Sequence, residues 1–173
     1  LDLYLAAESE FYNQLPAYLS KNFNKERLVV DVAEAIAVKQ FKPEDSRQFI
    51  AKIINEGKKL HLMQRYLPNT KPSLIMGYTK EELAWVRANE TMIWKYFVDK
   101  SLLYSTDSNL YLRFIADAPF SKFYLEIDND SPGRIGAYLG WRIVEAYAKK
   151  HSQSLSSLLA TDAMILFEKS NYK

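Results

Sequence analysis

Apolar residues recur at helical spacing over most of this 173-residue chain. Residues 25–38 read as a short helix with Leu28, Val29, Val32, Ala35 and Ile36 on one side. Pro43 opens a longer helix, 43–66, with Glu44 and Asp45 in the first turn, where the helix dipole favours acids. The irregular stretch PNTKPSLIMGY then fills a linker over 67–78. Thr79 and Glu82 form a capping box and predict a helix to about Asp99. Residues 100–131 are less regular, with turn chemistry at 105–109 and a short helical piece that Pro119 ends. Asp128-Asn129-Asp130-Ser131 before Pro132 reads as a cap and a first-turn proline, predicting a helix to about Lys150. Ser154 and Asp162 start two short helices, 154–160 and 162–169. Only LDLYL at the start alternates, and it fits a short strand or a helix start. The expectation is an all-α fold: a single compact helical domain over 1–173 with at most one short N-terminal strand.

Charges inside the apolar stripes are the informative residues. Glu56 falls between Phe49 and Met63 on the apolar face of 43–66, with Gly57 beside it. Glu90 lies between Leu83 and Phe97 in the stripe of 79–99, and Arg142 lies among Ile135, Leu139 and Ile143. An unpaired buried charge costs several kcal/mol, about enough to unfold a marginal domain. Arg142 is therefore expected to reach Glu56, Glu90 or both, in a buried charge cluster; the alternative is that each long side chain snorkels to the surface. Gly133, Gly136 and Gly140 give the last long helix a second, small-residue face, which fits close backbone approach or a ligand cleft. Such a helix, apolar on two faces, belongs at the centre of a fold. Arg134 at its amino end could hold an anion, but Asp128 and Asp130 next door favour an intramolecular Asp–Arg contact.

Composition narrows the chemistry. There is no Cys, which excludes disulfides, a Cys zinc site and a Cys nucleophile. The net charge of +2 makes no electrostatic case for nucleic acid. No apolar run is long enough to span a bilayer. The two histidines, His61 and His151, lie far apart in sequence and outside any HExxH, and no nucleophile elbow, phosphate loop or dinucleotide fingerprint occurs. His61 sits on the shoulder of the Glu56 face, as a boundary residue or a ligand. The site candidates are thus the cluster Glu56, Glu90 and Arg142, with Arg134, Trp141 and His61 as binding residues; no catalytic residue, metal ligand or cofactor is assigned.

The stretches YTKEELAWVRANETMIWKYFVDKSLLYSTDSN and RFIADAPFSKFYLEIDNDSPGRIGAYLGWRIVEAY resemble the gliding-motility lipoprotein GldB family of Bacteroidota. INEGKKLHLMQRYLP and the ending ATDAMILFEKSNYK fit it too, so the resemblance covers nearly the whole chain. It implies a periplasm-facing cell-envelope lipoprotein linked to gliding or protein secretion. Its lipid-anchored Cys would lie upstream of Leu1, making the chain the C-terminal part of a longer protein. The family is also distantly similar to predicted zinc peptidases that carry HExxH. Glu56-Gly57 matches their Glu-Gly pair, and Gly140-Trp141-Arg142-Ile143-Val144 matches their last helix. Their first helix would fall near RLVVDVAEAIA, which offers Asp31 and Glu34 but no His. The resemblance thus implies a degenerate zincin-like helical core, a pseudo-peptidase with Arg142 replacing metal charge beside Glu56. The functional expectation is a non-catalytic scaffold or partner-binding module. Its partners would be envelope proteins of a gliding or secretion apparatus, engaged through a groove or the LLYSTDSN and APFSKFY segments. The alternative is a zinc-peptidase-like hydrolase whose site is altered or completed by upstream residues.

Overall fold

A computed structural model describes Tyr4 and residues 9–172. Among these residues every regular element is helical, as the periodicity predicts. The expected LDLYL strand lies outside the described residues except for Tyr4. The helices are α1 (Ala17–Ser20), α2 (Lys25–Gln40), α3 (Phe49–Tyr66), α4 (Pro72–Met76), α5 (Lys80–Ala88), α6 (Glu90–Asp99), α7 (Asn109–Phe114), α8 (Ile135–Lys150), α9 (Leu155–Ala160) and α10 (Ala163–Ser170).

Caps organise the chain locally, at the predicted Ser154 and Asp162 and at Asn24, which is not among the predicted ones. Asn24 accepts from Arg27 N–H, Ser154 from Ser157 N–H, and Asp162 from Met164 and Ile165 N–H. Thr79 and Glu82 close their capping box on α5. The stretch expected as an irregular linker over 67–78 holds a short helix, α4, with Pro72 in its first turn and Gly77 ending it at φ 72°. Three boundaries also differ from the expected ones. The helix expected from Pro43 starts only at Phe49. Its first N–H groups are satisfied from outside: Phe49 donates to Ser105 O and Ile50 to Leu103 O, at 2.9 and 2.8 Å. Residues before it instead form a strap, tied down where the Asn55 side chain pairs with both backbone groups of Glu44. The helix expected over 79–99 breaks at Asn89, whose side-chain amide donates to Trp85 O, the same carbonyl its backbone N–H uses. The last long helix begins at Ile135, because Arg134 turns into the left-handed region at φ 60°.

Two helices make the centre. α3 and α8 are buried on nearly all sides and cross at glycines. A Cβ on Gly140 would lie 1.7 Å from Ile53 O, and one on Gly57 would lie 2.2 Å from the Gly140 carbonyl carbon. The two backbones touch there, so the small-residue face of α8 is a packing surface. Around this crossing, Phe49, Phe97, Phe114 and Phe123 stack edge to face with centroids 4.9–5.4 Å apart for successive contacts. α2 packs on α3, and α10 packs on both α8 and α3.

α2 sits the other way round from its sequence pattern. Its buried residues are Arg27, Val30, Ala33 and Ala37. Val29, Val32 and Ile36, expected in the core, are 49%, 52% and 42% exposed. The physical reason is Arg27. Its guanidinium donates to Leu74 O and, at 2.6 Å, to Asp31, and this polar anchor fixes the rotation of the helix.

Candidate functional site

The expected charge cluster divides into two sites on different parts of the α3–α8 pair. The first is centred on Glu90. Asn89 ends α5, so Glu90 starts α6 and points toward α8. Its carboxylate accepts from Tyr138 Oη at 2.6 Å, from Tyr172 Oη at 2.6 Å and from Arg142 Nε at 3.3 Å. Arg142 also donates through Nη1 to Glu145 at 2.5 Å. Burial pushes both phenols well above their ordinary range, and the hydrogen bonds to Glu90 push them further. Burial opposes the charge on Arg142, but Glu90 and then Glu145 outweigh it and raise its affinity for the proton. The cluster is half-buried rather than sealed: the side chains of Arg142 and Glu90 are 37% and 22% exposed. Trp141, on the same turn of α8, is buried, and its indole N–H has no partner among the described residues.

Glu56 does not join that cluster, which corrects the expected three-way arrangement. The cation beside Glu56 is Lys59, one turn further along α3, at 2.8 Å. Lys59 also reaches Glu34 of α2 at 3.1 Å. The ammonium thus bridges one carboxylate of α2 and one of α3. Burial works against ionising Lys59, yet Glu56 and Glu34 raise it above its ordinary value. Burial likewise raises Glu34, but Lys59 and Arg134 outweigh it and hold Glu34 below the usual carboxylate range. These residues do not supply the three ligands a zinc site needs: Glu34 and Glu56 close on Lys59, and no third His, Asp or Glu joins them among the described residues. Nothing in the sequence singles out Lys59, since a lysine three residues after a glutamate looks like an ordinary helix-surface pair.

Arg134 stands near this second site. Its Nη1 donates to Met76 O at 3.2 Å, and its Nε lies 3.5 Å from Asp117. The intramolecular Asp–Arg contact is therefore made with Asp117, not with Asp128 or Asp130. Asp128 instead accepts from the N–H groups of Phe123, Tyr124 and Leu125, fixing the turn before the 3-10 segment Glu126–Asp130. The buried Tyr78 donates to Gly133 O at 2.6 Å and holds the backbone just before Arg134.

His61 lies half-buried on α3, at a cavity lined by none of the residues of the two carboxylate sites. Lys58, unremarked in the sequence, is almost fully buried and donates to the carbonyls of Leu159 and Thr161, capping the end of α9.

Two further surfaces among the described residues expose apolar side chains. One is the outward stripe of α2. The other is a groove of about 150 Å³ between α5, α6 and the 3-10 segment, lined by Trp85, Met92, Ile93, Phe123, Leu125 and Ile127. Met92 and Leu125 at its rim are 67% and 55% exposed. The APFSKFY segment reaches this groove through Phe123, whereas LLYSTDSN serves mainly to receive the start of α3. No described helix is long and apolar enough to cross a membrane.

No curated protein and no solved structure matches the chain. The sequence profile described as gliding motility protein GldB matches residues 1–173, its full length. The chain belongs to the GldB lipoprotein family.

Proposed function

We propose that this is the non-catalytic domain of a gliding-motility or secretion-associated envelope lipoprotein, periplasm-facing and lipid-anchored, which acts by binding a protein partner. Family membership supports the envelope and gliding association. The observation that carries the partner-binding role is the outward face of α2. Val29, Val32 and Ile36 recur at helical spacing, yet each is about half exposed. A contiguous apolar stripe left open to solvent marks a surface that another apolar surface covers. The Glu34–Lys59–Glu56 bridge supports the non-catalytic part. A fixed ammonium holds both carboxylates where the peptidase resemblance would look for a metal, so the domain keeps a peptidase-like scaffold for binding rather than for hydrolysis.

The test is complementation in cells lacking the protein. The full lipoprotein carrying Val32→Lys and Ile36→Lys should accumulate normally and fail to restore gliding. Glu34→Gln together with Glu56→Gln should restore it. Normal gliding with the α2 variant overturns the partner surface. Loss of gliding with a folded Glu34→Gln, Glu56→Gln protein overturns the non-catalytic reading.

A further inference from the structure

The two histidines of the chain, ninety positions apart, line one cavity. It has a volume of about 170 Å³ and lies between the end of α3, the end of α8 and the start of α9. Its polar side chains are His61, Arg65, His151 and Gln153. All four can donate hydrogen bonds, and no carboxylate lines the space. The side chains of His61, Arg65 and Gln153 make no hydrogen bond or ion pair with any other described residue, so their donors are available. His151 is already oriented: its ring packs on Tyr147 at 4.4 Å, and its Nε2 lies 3.4 Å from Lys169 O. The remaining wall is aliphatic, formed chiefly by Leu155 and the buried Leu158.

An exposed guanidinium that keeps its charge at every working pH, with three further donors beside it, suits a single negative charge. The aliphatic wall beside it suits a short apolar group. We propose that this cavity binds a carboxylate carried on a short aliphatic group. Arg65 supplies the full positive charge, His61, His151 and Gln153 the further donors, and Leu155 and Leu158 the apolar contact. Both a free small carboxylic acid and the C-terminus of a peptide chain present this chemistry. The site is independent of the α2 surface.

Protonation should tune it. Burial lowers the proton affinity of His61; Glu145 from α8 opposes this and Arg65 from its own helix adds to it. His151 faces Tyr147 and the main chain of Lys169, and α9 contributes only aliphatic side chains to the cavity. A bound carboxylate favours the imidazolium form, so binding tightens as pH falls through the histidine range.

Histidine ring-proton resonances test this directly, since the chain has only two histidines. The whole chain is titrated with N-acetyl-L-leucine, with its uncharged amide, and with a tetrapeptide ending in leucine with a free or an amidated terminus. Both histidine signals should move saturably with the carboxylates. The amides should bind at least about tenfold more weakly, as should Arg65→Gln with the carboxylates, for the loss of one charge-assisted contact. The affinity should rise as pH falls below 6.5, because burial keeps His61 of the free chain neutral down to that value. A free-terminus peptide that binds better than N-acetyl-leucine places the ligand at a chain end; equal affinity places it among small acids. The proposal is overturned if only one signal moves, if acid and amide bind alike, if Arg65→Gln binds as the parent does, or if zinc chloride moves both signals and the carboxylates do not.

Discussion

At the scale of single residues, the decisive groups are charged side chains that hold several partners at once. Glu90 receives two phenols and a guanidinium, so its loss leaves three donors unmatched in a half-buried place. Glu90→Ala should cost about 2–3 kcal/mol in chemical denaturation, and Tyr172→Phe about 1 kcal/mol. The phenols add a pH signature. Their folded proton affinity is raised, so the stability they contribute is complete below the ordinary tyrosine value of 10.0 and is lost as pH rises beyond it. In Glu90→Gln, alkaline titration should bring Tyr138 and Tyr172 back toward that value. Lys59 gives the opposite case. Lys59→Met leaves Glu34 facing Glu56 without a cation and should cost about 2 kcal/mol at neutral pH, between an exposed and a fully buried pair. The unpaired carboxylates would then take up protons more readily. The deficit should shrink as pH falls toward 4.5, the ordinary glutamate value. A deficit independent of pH would show that Lys59 acts through packing alone.

At the scale of elements, the crossing of α3 and α8 and the rotation of α2 are the two constraints that shape the molecule. The crossing has no room for a methyl group, since a Cβ on Gly140 would overlap the Ile53 carbonyl. Gly140→Ala should therefore lower stability by about 3 kcal/mol or more, or prevent folding, whereas alanine is intrinsically the better helix former by up to about 1 kcal/mol. The rotation of α2 is tested by a pair of substitutions. Val32→Lys on the outward face should stay within about 0.5 kcal/mol of the parent, and Val30→Lys on the sealed face should cost about 3 kcal/mol or more. Equal costs would place Val32 against something in the folded chain.

At the scale of the whole molecule, acid stability should follow His61 and Glu34 in turn. Both have folded proton affinities below their ordinary values, so both stabilise the fold above those values and lose that contribution as pH falls. Stability should begin to fall as pH drops below 6.5, through His61, and fall further below 4.5, through Glu34. His61→Asn should flatten the upper part of that curve, as followed by thermal melting over the pH range.

Much of this molecule was legible along the chain because the signals are local. Helical spacing, the Thr79 capping box, the Ser154 and Asp162 caps and the glycines of α8 each act within a turn or two, and they determined the helical class, most helix boundaries and the central place of α8. Membership in the GldB family was likewise legible, in the long segment around Ser131–Val144. Tertiary structure decided what depends on distant partners. The start of α3 depends on carbonyls some fifty positions away, at Leu103 and Ser105. The outward face of α2 depends on Arg27 finding the Leu74 carbonyl. The division of Glu56 from Glu90 and Arg142 depends on which side of the α3–α8 crossing each faces. The meeting of His61 with His151 depends on two helix ends brought together by that crossing. A helical wheel reports the direction of a side chain around its own axis. Which neighbour it meets is fixed only when the helices pack.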